Sequence, residues 1–444
     1  MQIGLVLPGG GARGAYEAGA LSILVPALEQ RGERVEIVCG TSVGSINAAV
    51  VAAVASLPAR EQALTFLEHW RSVRKGSVIR PVIGVGTGLG LARLAGELLE
   101  LPGMRAASLL DPSPLARSLE GWIDWDALHA NVAGRVIHAV CVMATSVERG
   151  VPVGFVESAA KPPRSDREIE YVHTRLEGQH VRASAAIPLL FPPVEVTAPL
   201  GAAGHYVDGA TRLNAPISPA LALGAERVIV VGYEPFAGAR APAATPRTTG
   251  DGSGRAAVSP HAPAFSPPRL ADVAANALDG LLLDQVAHDV RRMLAVNAFF
   301  AEHPSTGTSR AARAYREAQG RPPYRRISYA LVAPTRRGEI GALAEAVFRE
   351  RYGGLRGLRS PDFALLSRLL GGGGAAARGE LLSFIFFDEV FIERLLELGR
   401  RDARRWLEEH PGFWSSDAGA VGFEAPEVSS DAVALDEFRA RRRH

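Results

Sequence analysis

Lysine is almost missing from this chain. Of its 49 basic residues only Lys75 and Lys161 are lysines, so nearly all the positive charge is arginine, a bias that reads first as codon usage. Against 47 acidic residues this leaves a net charge of only +2, and no whole-molecule field argues for a nucleic-acid partner. Cysteine is equally scarce. Cys39 and Cys141 both fall in apolar, strand-like runs, where a free buried thiol is the expected state. The first strand-like run starts at residue 2, leaving no room for a classical signal peptide, and the expected location is cytoplasmic. No cluster of His, Cys, Asp and Glu has zinc-site spacing, so no metal and no cofactor is expected.

Glycine, by contrast, is plentiful, with 47 residues. The most informative glycines flank a serine in Gly40-Thr41-Ser42-Val43-Gly44, directly after the apolar run Val35–Cys39 and directly before the helix-like stretch Ser45–Val54. A serine in so tight a strand-to-helix turn occupies a strained backbone position and presents its hydroxyl above a helix N-terminus. G-x-S-x-G alone is a weak signal in so glycine-rich a chain. Its position between a strand and a helix makes it a strong one.

A serine hydroxyl needs a proton acceptor and a group that stabilises an oxyanion. The oxyanion candidate is the loop Pro8-Gly9-Gly10-Gly11-Ala12-Arg13-Gly14, which follows the buried strand Met1–Leu7 and opens a helix. Its backbone N–H groups can converge on an anion at the helix start. Arg13 reads as a brace for the loop rather than as a charge at the site. Gly9, Gly11 and Gly14 also satisfy G-x-G-x-x-G, with Glu33 and Glu36 near the distance a ribose contact requires. That dinucleotide reading loses because Glu33 lies in the polar turn Gln30–Arg34 and the second strand ends in a serine elbow.

No late histidine sits in a strand-end loop of the kind a Ser-His-Asp hydrolase uses. What stands out instead is Gly204-His205-Tyr206-Val207-Asp208-Gly209-Ala210, a short strand ending in Asp-Gly-Ala and followed by the turn Asn214-Ala215-Pro216. Taken alone, Asp208 would be an ordinary Asp-Gly turn residue.

Together these segments resemble the patatin-like phospholipases, whose pattern is G-G-G-x-R-G, then G-x-S-x-G, then Asp-Gly-Gly or Asp-Gly-Ala. A fourth agreement is Arg182-Ala183-Ser184-Ala185-Ala186-Ile187-Pro188, similar to the family's A-S-x-x-x-P segment. The resemblance covers residues 1 to about 215. It implies a Ser-Asp dyad with Ser42 as nucleophile and Asp208 as proton acceptor, and an oxyanion hole from the amides of Gly10, Gly11, Ala12 and Val43. Gly9, Arg13, Gly14, Gly40, Gly44, Gly209 and Ala210 support these motifs. The implied activity is lipid acyl hydrolysis of the phospholipase, lipase or carboxylesterase type. The partners would be a phospholipid or other fatty-acyl ester and, peripherally, a membrane surface. Acyl transfer on the same dyad and a non-catalytic lipid-binding role are the alternatives. An Asp acting without histidine needs a poorly hydrated site to raise its basicity. Ser184 reads as the cap of a short helix that Pro188 closes.

Strand-like runs at Val136–Ala144, Ile169–Thr174 and Arg227–Gly232, separated by helical patterns, predict an α/β fold of three α/β/α layers with a mostly parallel central sheet. The catalytic domain is expected over 1–235, followed by a disordered Pro/Ala/Ser/Gly-rich linker over 236–268, a mainly helical region over 269–410 and a tail over 411–444. Gly84–Gly90 reads equally as a lid or as a plain connection. Helices are expected at Leu64–Val73, Leu270–Phe300, Glu339–Tyr352 and Pro361–Leu370, with an edge strand at Arg326–Val332. Leu381–Leu398 has almost no polar face, yet Asp388, Glu389, Glu393 and Arg394 rule out a spanning helix; core packing or a protein interface is favoured over membrane docking. Arginines from Arg310 to Arg337 read as a solvated face.

Overall fold

The computed structural model describes residues 1–74, 80–81, 110–111, 113–160, 163, 165, 168–188, 191–236, 284–302, 307–318, 323–353 and 375–416. The loop expected at 84–90, the helix at 361–370, nearly all of the linker and most of the tail lie outside them.

The strands are β1 (Ile3–Leu7), β2 (Ile37–Thr41), β3 (Arg80–Pro81), β4 (Leu110–Asp111), β5 (Ala139–Ser146), β6 (Pro152–Ser158), β7 (Glu170–His173), β8 (Val194–Val196), β9 (Gly204–Asp208), β10 (Arg227–Val231) and β11 (Ser328–Val332). The helices are α1 (Gly14–Glu29), α2 (Val43–Val54), α3 (Ala59–Ser72), α4 (Ser113–Trp122), α5 (Trp125–Ala133), α6 (Gly178–Ser184), α7 (Ile217–Ala222), α8 (Asp284–Glu302), α9 (Gly307–Ala318), α10 (Glu339–Tyr352), α11 (Ala375–Ile385) and α12 (Glu389–Glu409).

The central sheet runs β11-β10-β1-β2-β5-β6-β7, and β3 and β4 form a separate antiparallel pair. The neighbours from β11 to β5 are parallel, as are β6 and β7; β5–β6, β5–β9 and β8–β9 are antiparallel. β1, β2 and β5 are buried along their whole length, as a parallel sheet covered by helices on its faces requires. Cys39 and Cys141 are register partners on β2 and β5, and both are buried free thiols. The hairpin β5–β6, closed by the turn Val147–Val151, had no signal strong enough to place it from sequence.

β11 takes the expected edge position beside β10. A backbone bridge between Tyr329 and Ser415 covers its outer side, limiting the exposed hydrogen-bonding edge. The apolar stretch 381–398 is two helices, not one. Asp388 breaks it by accepting hydrogen bonds from the amides of Val390 and Phe391 and so capping α12. Its apolar residues are core: Phe386, Phe391, Leu395 and Leu396 are all at most 1% exposed. α12 lies directly on α1, where a Cβ at Gly19 or Gly399 would overlap the facing backbone, and Tyr16 Oη donates to Asp402 at 2.9 Å across the contact.

The arginines read as a solvated face are partly engaged. Arg313 and Arg316 lie over the rings of Phe300 and Tyr324, and Arg325 and Arg326 donate to the carbonyls of Ala225 and Ser416. No helix among the described residues is long and apolar enough to cross a membrane.

Candidate active site

The sheet itself brings Ser42 and Asp208 together. β2 pairs with β5 as far as Thr41 against Met143, and at the next position of β5, Ala144, the partner becomes Asp208 of β9. β2 runs parallel to β5 and β9 antiparallel to it, so their C-terminal ends meet head to head on one side of that strand. Ser42 is the first residue past one end; Asp208 is the last residue of the other. Residues 166 apart in sequence thereby share a hydrogen bond, Ser42 Oγ donating to Asp208 Oδ2 at 2.5 Å.

Ser42 adopts φ 54° and ψ −125°, a conformation that costs a non-glycine residue about 1–3 kcal/mol and persists only where its surroundings impose it. Here they do. The Ser42 amide donates to Ser184 Oγ at 2.9 Å, and that hydroxyl donates in turn to the Met143 carbonyl on β5 at 2.5 Å. The Ser42 carbonyl accepts from Ser45 Oγ, and Gly40 and Gly44 pack backbone to backbone beneath the turn. Ser184 is therefore not the cap of a helix. It ends α6 and ties the elbow to the sheet, a role its local sequence does not display.

Asp208 is 1% exposed and accepts from the Ala210 amide at 2.8 Å as well as from Ser42. Burial is the largest influence on its carboxyl and raises it from an ordinary 3.8 to about 7, the two hydrogen bonds opposing it. Dehydration thus makes this carboxylate a stronger base than an ordinary aspartate. No histidine among the described residues bonds to either partner. Gly209 backs onto the Met143 carbonyl at the start of a 3-10 turn that carries Ala210.

The glycine loop packs beside Ser42 and Ala210. The Gly9 amide is held at 2.7 Å by Asn214 Oδ1, from the turn after Asp208, so Gly9 lies beside Ser42 but is already bonded. Gly11, with φ +59° and the Phe384 carbonyl where a side chain would stand, begins the 3-10 turn Gly11–Arg13 that carries Ala12 and leads into α1 at Gly14. Arg13 braces the loop against α11: Nε donates to Ser383 Oγ at 2.7 Å, Nη2 donates to the Glu380 carbonyl and pairs with its carboxylate, and the guanidinium covers the Phe384 ring at 4.0 Å.

An apolar pocket opens at Ser42. Val43 and Ile46 of α2, Leu115 and Trp122 of α4, and Phe384, Ile385 and Phe387 at the end of α11 form its walls. His69 also lines it. Burial holds this imidazole down at about 4, so it is neutral there. A strained serine hydrogen-bonded to a buried aspartate, at the mouth of an apolar pocket and beside a glycine-rich loop, has the strand-to-helix geometry of a nucleophile elbow in an α/β fold.

The comparisons with known proteins are more specific. Residues 5–221, just under half of the chain, match the family of patatin-like phospholipases, and this stretch is a patatin-like phospholipase domain. Members of that family are typically lipid acyl hydrolases. The crystal structure of VipD from Legionella pneumophila is similar over 92% of this chain and 67% of that one, at 13% identity and a TM-score of 0.32. No curated protein is significantly similar.

Proposed function

We propose that the protein is a serine lipid acyl hydrolase that cleaves fatty-acyl esters through the dyad Ser42–Asp208. The carrying observation is the 2.5 Å hydrogen bond from Ser42 Oγ to a buried, basic Asp208 at the mouth of an apolar pocket. Ser42 Oγ attacks the ester carbonyl carbon as its proton passes to Asp208. The carbonyl electron pair moves onto oxygen, where the amides of Gly10, Gly11, Ala12 and Val43 receive it. As the intermediate collapses, the Asp208 proton goes to the leaving alcohol oxygen and an acyl-Ser42 ester remains. Water, deprotonated by Asp208, attacks that ester, and Ser42 leaves with the proton returned to it. The pocket walls hold the acyl chain, supplying binding energy remote from the reacting centre.

The test is hydrolysis of a chromogenic medium-chain ester and of a phospholipid by wild type, Ser42→Ala and Asp208→Asn, each verified as folded. Turnover by wild type with both variants silent supports the dyad. Turnover that survives in Ser42→Ala refutes it.

A further inference from the structure

Glu17, just past the glycine loop on α1, is wholly buried and has no part in the chemistry above. Its surroundings fix where a proton on it would have to be. The Trp70 indole N–H can only donate, and it donates to Asn47 Oδ1 at 2.9 Å. That orients the Asn47 amide, whose Nδ2 donates to the Gly14 carbonyl at 3.0 Å and to Glu17 Oε2 at 2.7 Å. Oε2 is therefore an acceptor. The other carboxyl oxygen, Oε1, lies 2.7 Å from the Tyr233 hydroxyl, and that hydroxyl also lies 3.2 Å from the Pro8 carbonyl.

A phenol has one proton for these two neighbours, and a carbonyl can only accept. With a proton on Oε1 the chain runs in one direction: Glu17 donates to Tyr233, and Tyr233 donates to Pro8. With Glu17 ionised, the Tyr233 proton turns to Glu17 and the Pro8 carbonyl loses its donor. Pro8 begins the glycine loop, and the Tyr233 ring occupies the space where a side chain at Gly10 would lie. The hydroxyl end of Tyr233 thus bears on the loop at both Pro8 and Gly10.

We propose that Glu17 is a positioning residue that works as a neutral carboxylic acid, holding the Pro8 carbonyl, and with it the oxyanion loop, through Tyr233. The inference rests on the hydrolase reading. No cation among the described residues is bonded to Glu17: Arg13 is committed to Glu380 and Ser383, Tyr16 donates to Asp402 of α12, and Glu234, next to Tyr233, accepts from the Gly338 amide. The N-terminus of α1 favours the carboxylate, as do the bonds from Tyr233 and Asn47. Burial outweighs the two bonds and pushes the carboxyl up to about 8.

The experiment is the pH dependence of kcat and KM for ester hydrolysis by wild type, Glu17→Ala, Glu17→Gln and Tyr233→Phe, with melting curves for each. Wild type should lose kcat reversibly above about pH 8 with KM steady. Glu17→Ala and Tyr233→Phe should lower kcat by about tenfold or more, since small displacements of a catalytic loop are costly. Glu17→Gln, whose amide donates to Tyr233 and whose carbonyl accepts from Asn47, should restore most of what alanine loses and lack the alkaline limb. A Glu17→Gln variant as impaired as Glu17→Ala, or one that keeps the wild-type limb, overturns the proposal. A second readout needs no turnover. The wild-type minus Glu17→Gln infrared difference should show the carbonyl band of a protonated carboxylic acid at pH 6 and lose it above pH 8. A carboxylate band at pH 6 overturns the inference even if no ester is cleaved, whereas absent turnover with the acid band present overturns only the hydrolase reading.

Discussion

Asp208→Asn should abolish hydrolysis and at the same time stabilise the protein, by an amount that grows with pH. The unfolded carboxyl ionises near 3.8 and the folded one near 7. Between those values the folded state keeps a proton that the unfolded state has lost, so wild-type stability falls as pH rises through that window and levels off above it. About three pH units at about 1.36 kcal/mol each give a penalty of about 4 kcal/mol at pH 8 and about 1.5 kcal/mol at pH 5. Asparagine carries none of it. Its Oδ1 still accepts from the Ala210 amide, and its Nδ2 faces Ser42 Oγ as a donor, the wrong polarity to take a proton. Urea unfolding of both proteins at pH 5 and pH 8, followed by tryptophan fluorescence, measures the two differences. An advantage for Asp208→Asn that is the same at both pH values would refute the claim that ionised Asp208 is a dehydrated charge.

Wild-type kcat/KM should rise with pH through about 7, because protonated Asp208 cannot take the Ser42 proton; a profile flat from pH 5 to 8 would contradict this. Glu380→Ala should cost about 3–5 kcal/mol in urea unfolding, since it strands the buried Arg13 guanidinium, and should lower activity with it. Phe387→Ala, which deepens the pocket wall, should shift the ratio of kcat/KM for long against short acyl esters by about tenfold in favour of the longer.

What the sequence made legible was local chemistry. Gly40–Gly44 between a strand and a helix, the glycine run after β1 and Asp208 at the end of β9 each signal their geometry within a few residues, and all three meet in the fold. The partners of Arg13, Glu380 and Ser383, are some 370 positions away, and no local pattern points to them. Ser184 was missed for a similar reason. Its hydroxyl matters because β5 brings the Met143 carbonyl beside the Ser42 amide, a fact of sheet order rather than of spacing. The break at Asp388 was hidden because residues 381–387 before it are all buried, and burial on every side erases the periodicity that would mark where the first helix ends.

The parts of the site differ in origin in a way that bears on how it would evolve. Ser42, Asp208 and the loop amides all come from residues 5–221, and the sheet fixes their mutual geometry. The far wall of the pocket and the anchor of Arg13 come from α11, more than 150 residues beyond that stretch. Gly11 lines the pocket together with Ser42 and faces the Phe384 carbonyl. Substitutions at Ile385 or Phe387 can reshape the acyl pocket without moving the dyad, because neither bonds to Ser42 or Asp208. Substitutions at Glu380 or Ser383 cannot, since Arg13 carries their effect directly into the glycine loop. Under the proposed function, chain-length preference and catalytic competence are therefore expected to separate at Ile385 and Phe387 and to stay coupled at Glu380 and Ser383.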